Sequence, residues 1–196
     1  TDLRELVQRL CKAHAHGLGH PVSTVTAGGD QKAADGGLDV RIELPAGAET
    51  AGFVPRLLTG FQVKQDKKGY AAGRIRQEIR PNDIPRPVLT DLAARRGAYV
   101  IVSGQESPAD KPLNDRLKAM REAVADLPDA ANLALDFYGN DRVAQWVNEH
   151  PGIVAWVRER IGKPLGGWGP YGNWSGEPDP RASWIVSQTC LAVTSS

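Results

Sequence analysis

The chain has 196 residues, 41% of them hydrophobic and 24% charged, which allows one substantial core and excludes a disordered or fibrous class. A formal charge of +1 gives no global signal for a polyanionic partner, and no apolar stretch is long enough to span a bilayer. Two cysteines, Cys11 and Cys190, lie far apart and form no disulfide framework. Because the chain also opens on a charged amphipathic pattern and not a signal peptide, a reducing, cytoplasmic setting is expected.

Leu3, Leu6, Val7 and Leu10 recur at helical spacing and predict an amphipathic first helix. A β-prone stretch, Val22 to Thr26, follows and is expected to open a sheet. In Gly37-Leu38-Asp39-Val40-Arg41-Ile42-Glu43-Leu44 the apolar residues take every second place, and Phe61-Gln62-Val63-Lys64 repeats the pattern, so both read as half-buried strands. Ile75 and Ile79, then Leu89 and Leu92, mark helical segments interrupted by Pro81, Pro85 and Pro87 and ending at Gly97. Ala98-Tyr99-Val100-Ile101-Val102 is almost purely apolar, as a central buried strand must be. A helix through Leu113, Leu117, Met120, Val124 and Leu127 leads to a further strand, Leu133 to Tyr138. Asn140-Asp141-Arg142 can cap a helix through Val143, Trp146 and Val147, and a second one runs through Ile153, Trp156, Val157 and Ile161, with both tryptophans expected in the core against the sheet. Glycine and proline then dominate, from Gly166-Gly167-Trp168 to Asn173-Trp174 and on to Pro180. These shifts divide the chain into a domain over 1–162 and a tail over 163–196.

The polar residues of the two alternating strands carry the chemistry. Asp39, Arg41 and Glu43 share one face, as do Gln62 and Lys64. In an antiparallel hairpin the start of the first strand lies beside the end of the second, which is expected to set Asp39 opposite Lys64. Hydrolysis of a phosphodiester needs a divalent cation, an activated water and a positive group near the transferring phosphoryl. Asp39 offers the hard anionic oxygen that Mg2+ prefers, the Gln62 carbonyl a neutral one, and Lys64 the charge.

This constellation resembles the PD-(D/E)xK nuclease superfamily and, within it, the Mrr-like restriction endonucleases, through Asp35-Gly36-Gly37-Leu38-Asp39 and Gln62-Val63-Lys64. The resemblance implies a restriction-endonuclease-like α/β fold, an αβββαβ core with a central mixed sheet flanked by helices. It implies that Asp39 and Gln62 hold Mg2+, with Mn2+ able to substitute, and that Lys64 is the catalytic lysine. Gln62 stands where Glu or Asp is usual, which removes one negative charge from the metal site. The ending of the chain resembles the hinge by which nuclease effector domains of bacterial antiviral defence proteins join a following module, often an NTPase. A fused or partner NTPase or sensor module is therefore expected, and a homo-oligomer is left open.

Between Lys64 and Arg96 the basic residues Lys67, Lys68, Arg74, Arg76, Arg80, Arg86 and Arg95 outnumber Asp66, Glu78, Asp83 and Asp91. Lys67, Lys68, Arg74 and Arg76, nearest the motif strand, are the candidates for gripping a DNA backbone. Glu5 is a candidate helix-borne acid for the metal site, although it lies off the apolar stripe. Asp35 more simply shapes a turn than approaches the metal, an alternative left open, and Glu43 is expected to pair with Arg41 or a neighbouring strand. Cys11, His14, His16 and His20 offer zinc-type ligands in no closed zinc spacing, and the paired glycines lack the Lys-Ser or Lys-Thr of a phosphate-binding loop. Trp168, Tyr171 and Trp174 could stack on bases or anchor a neighbouring module. The leading expectation is a Mg2+-dependent DNA endonuclease of an anti-phage or restriction system. Its alternatives are a catalytically weak or inactive nucleic-acid-binding domain of the same fold, or a protein-interaction module.

Overall fold

A computed structural model describes residues 3–28, 37–50, 52–65 and 70–164. The chain divides into two units, residues 1–150 and a second beginning at Pro151. Among the described residues the first unit contains α1 (Leu3–Gly17), β1 (Val25–Ala27), β2 (Val40–Glu43), β3 (Leu58–Lys64), α2 (Ala72–Ile79), α3 (Pro87–Ala94), β4 (Ala98–Ser103), α4 (Asp110–Val124), β5 (Ala134–Tyr138) and α5 (Asn140–Asn148). The second unit contributes α6 (Pro151–Arg160), in which Ala155 and Trp156 are buried and the Arg160 guanidinium lies 5.2 Å from the Trp156 ring centre. No helix of the described residues is long and apolar enough to cross a membrane.

The fold is α/β. Five strands form one mixed sheet in the order β1-β2-β3-β4-β5, antiparallel from β1 to β3 and parallel from β3 to β5. The αβββαβ order expected of the core is present, with α3 inserted before β4. Parallel strands need cover on both faces, and every residue of β4 is buried. One face carries a cluster that joins Ile75 and Ile79 of α2, Leu89 and Leu92 of α3 and Met120 and Val124 of α4 to Tyr99, Ile101 and Phe137. On the other, Trp146 of α5 packs on Phe61 and edge-on to Tyr138. Its ring stacks on Phe53, at 5.4 Å between centres. The helix α1 contacts β1, β2 and β3 and buries Leu6, Val7, Leu10 and Cys11.

Three expectations about the strands are corrected. The stretch Val22 to Thr26 is only half strand: Val22–Thr24 forms a 3-10 turn, closed by the Thr24 N–H and hydroxyl donating to the Pro21 carbonyl at 3.1 and 2.8 Å. The second motif strand is not half-buried. β3 begins at Leu58, sits mid-sheet and is covered on both faces, so that Gln62 is only 8% exposed. Finally, Val40 pairs with Phe61, which sets Asp39 opposite Gln62 and not Lys64. A slip of two residues keeps each side chain on its own face, so alternation alone does not distinguish the two registers.

Glycines fix two close approaches. A Cβ on Gly60 would lie 2.6 Å from Leu38, which crosses β3 there, and one on Gly97 would lie 2.9 Å from the Leu58 carbonyl oxygen. The second contact is with backbone, so the start of β4 tolerates no side chain at that point.

Candidate active site

Asp39 stands immediately ahead of β2, anchored by its N–H to the Phe61 carbonyl at 2.9 Å. Its carboxylate turns back onto β3. There Oδ2 accepts from Gln62 Nε2 at 2.6 Å and from the Val63 N–H at 2.7 Å. Oδ1 pairs with Arg4 Nη2 at 2.6 Å, from the first turn of α1. That turn lies near the end of β4, because Leu3 fills the space a side chain on Gly104 would take.

The amide orientation of Gln62 follows from its bond to Asp39, and it leaves Oε1 buried with no hydrogen-bond partner among the described residues. The Tyr99 hydroxyl of β4 is also buried, with no hydrogen-bond partner among the described residues. Burial first, and then the charge of Glu78, pushes its phenol pKa well up, so it stays a neutral donor. A buried polar atom without a partner costs about 1–3 kcal/mol. Such atoms are rare enough in folded proteins that each requires a reason.

Lys64 ends β3 on the same face as Gln62, beside Ser103 at the end of β4. Its Nζ lies 2.6 Å from Glu78 Oε2 on α2. The other oxygen of Glu78 pairs with Arg86 Nη2 at 2.9 Å, while Arg86 Nε donates to the Glu78 carbonyl at 2.7 Å. The Tyr70 hydroxyl donates to Oε2 at 3.2 Å. Tyr70 is pinned in turn: its N–H donates to Glu106 at 2.5 Å, and its carbonyl accepts from the buried Arg116 at 2.8 Å. Arg86 also crosses Gly37, whose φ is +94° and where a Cβ would lie 2.4 Å from Nη1. The motif glycine therefore has a contact to keep as well as a turn to make.

Asp39, Gln62 and Lys64 thus lie on one face at the carboxyl ends of the parallel strands, with Gln62 and not Lys64 opposite Asp39. Asp35, Lys67 and Lys68 lie outside the described residues, as do Cys190 and the aromatic tail with Trp168, Tyr171 and Trp174. Arg74 and Arg76 are exposed on α2, the first 5.4 Å from the Tyr70 ring centre and the second paired with Asp83 at 3.3 Å. Arg80 pairs with Asp126, and Arg95 with Glu43, so part of the basic stretch is internally balanced. Glu5 pairs with Arg9 one turn along α1 at 2.9 Å, and Glu43 also meets Arg41 at 3.5 Å. Cys11 faces the core, where burial pushes its thiol pKa up, and His16 is exposed. Among the described residues no three His, Cys, Asp or Glu side chains are grouped to hold a metal ion. Asp39 is the carboxylate that bonds Gln62.

Sequence reasoning passed over three contributors. Glu78 lies three residues after Ile75 and beside Ile79, a charge within the buried stripe of α2, and that spacing is its signal. Arg4 precedes Val7 and Cys11 by three and seven residues, on the edge of the buried face of α1. Arg86 carries no such mark, since it precedes α3 in a segment without periodicity. Comparison with protein-family models, with curated proteins and with solved structures gives no match to this chain.

Proposed function

We propose that the chain is a metal-dependent DNA endonuclease of the PD-(D/E)xK type and Mrr-like branch, acting in restriction or antiviral defence. One observation carries the reading. The buried, unpartnered Oε1 of Gln62 lies on the side chain that bonds Asp39, and Lys64 follows on the same face. An anionic oxygen with a spare neutral one suits a hard divalent cation such as Mg2+, with Mn2+ as a substitute. Bound there, the ion would supply positive charge against the phosphoryl group and acidify a water.

The chain's own residues supply the remainder. Asp39 and Gln62 would hold the cation, and Lys64 presents an ammonium to the phosphate undergoing attack. Among the described residues Arg4 pairs with Asp39 while Lys64 and Arg86 share Glu78, an arrangement suited to a phosphate. Arg74 and Arg76, with Lys67 and Lys68, are the proposed contacts to the flanking backbone.

A second reading has its own observation. Arg4, Gln62 and Val63 already engage both oxygens of Asp39, so the carboxylate is satisfied without a metal. That favours a nucleic-acid-binding domain that does not cleave. Supercoiled plasmid incubated with purified protein, with and without Mg2+ or Mn2+, separates the two. Nicking that requires metal and disappears in Asp39→Ala and Lys64→Ala supports the nuclease. Salt-sensitive binding without nicking under any metal refutes it.

A further inference from the structure

We infer that Glu78 is the positioning residue for Lys64, held in place by Arg86 and Tyr70; the inference rests on the nuclease reading. A lysine reaches its target through four rotatable bonds and loses about 2 kcal/mol of rotamer freedom when fixed. One that must meet a single phosphate therefore needs an anchor. Glu78 provides it at 2.6 Å, with the Lys64 side chain 18% exposed and that of Glu78 12%.

The anchor is itself immobilised from three directions. Arg86 grips the carboxylate and the carbonyl of the same residue, and Tyr70 reaches Oε2. Tyr70 is fixed through its backbone by Glu106 and Arg116. Here two cations share Glu78, so Lys64 is oriented while its positive field is only half offset. Because Arg86 also lies across Gly37, two residues before Asp39, the same network ties the lysine to the turn that delivers the acid.

The test uses the full chain on supercoiled plasmid under single-turnover conditions with Mg2+, comparing wild type with Glu78→Gln. The substitution keeps the shape and removes the charge. Misplacing a reacting group by about 1 Å costs roughly a hundredfold in rate, so the cleavage rate is expected to fall by about ten- to a hundredfold. DNA affinity without metal stays within about twofold, since flanking phosphate contacts are untouched. Independently of activity, the Lys64 ammonium resonance in nitrogen-15 NMR is expected in wild type and lost in Glu78→Gln. Tyr70→Phe, which removes one hydrogen bond from the same carboxylate, is expected to lose rate severalfold and covers a failure of the first variant to fold. A wild type that nicks beside variants that nick equally well overturns the positioning role alone. A wild type that never nicks, with its ammonium resonance intact, overturns the nuclease reading and the catalytic use of the clamp with it.

Discussion

Gly37→Ala tests the coupling between the motif turn and the lysine clamp, and Gly47→Ala supplies its control. Both glycines have positive φ, +94° and +87°, where a non-glycine residue is strained by about 1–2 kcal/mol. They differ in surroundings. Nothing lies within 4 Å of a Cβ on Gly47, whereas one on Gly37 meets Arg86 Nη1 at 2.4 Å and its Cδ and Cζ at 3.0 Å. An arginine tip normally yields, but this one is held by Glu78 at 2.7 and 2.9 Å. Moving it forfeits charge-assisted hydrogen bonds worth about 1.5–3 kcal/mol. Gly37→Ala is therefore expected to cost about 3–5 kcal/mol against about 1–2 for Gly47→Ala. The entropy alanine removes from the unfolded chain is common to both and cancels in the difference. Urea unfolding followed by tryptophan fluorescence measures the two values, and the difference of about 2 kcal/mol corresponds to about 4–8 °C in Tm for a unit of this size. Equal destabilisation of the two variants would refute the contact between the turn and the clamp, whatever the absolute numbers.

Other outcomes follow from the same contacts. Arg4→Ala removes the cation already on Asp39; a pair with one partner 30% exposed is worth about 1 kcal/mol, so Mn2+ affinity by calorimetry is expected to rise about fivefold. Unchanged affinity would show that no cation binds at Asp39. Gln62→Glu sets a second carboxylate beside Asp39 and deletes the 2.6 Å hydrogen bond, lowering metal-free stability by about 1–3 kcal/mol while enlarging the Tm gain on adding Mg2+. A variant with wild-type Tm and no larger metal response would exclude that geometry. Burial lowers the pKa of His14, helped by the neighbouring charge of His150, and burial lowers that of His150 against the opposing pull of Glu149. The unfolded chain then binds more protons below about pH 6.5, so stability falls as pH drops through that value toward the lower folded-state values. His14→Gln should flatten the slope of urea midpoint against pH between 5 and 7, and an unaltered slope would assign it to other groups.

The parts legible in the sequence were those governed by periodicity. The apolar run of β4, the alternation in β2 and the stripes of α1, α2 and α4 reflect burial on one or both faces, which composition records directly. The face shared by Asp39, Gln62 and Lys64 follows from the same period of two. Register was not legible, because the segment between β2 and β3 runs from Leu44 to Leu57 and imposes none of the geometry a two-residue hairpin turn would. Nor was the full length of β3, since Gly60 interrupts the strand signal and is present to admit Leu38. The clamp on Lys64 stayed hidden for a different reason. Glu78 and Arg86 are eight residues apart on either side of Pro81 and meet only because the chain reverses there, with Asn82 and Asp83 both at positive φ.

The two functional readings differ by little in charge, which explains why one arrangement supports both. Asp39 has a single negative charge, and Arg4 offsets it across 2.6 Å. A glutamate at position 62 would have left a net negative site in which a dication is the natural counterion. Glutamine leaves the pair neutral, so an entering cation must displace the guanidinium from Oδ1 or share the carboxylate with it. On the nuclease reading the cation must take Oδ1 from Arg4 or share it, whereas binding without cleavage requires only that Arg4 stay. Among the described residues His14, Tyr99, Trp146 and His150 also bury an unpartnered polar atom, but Gln62 Oε1 is the one carried by the side chain that bonds Asp39, and it argues for the first case.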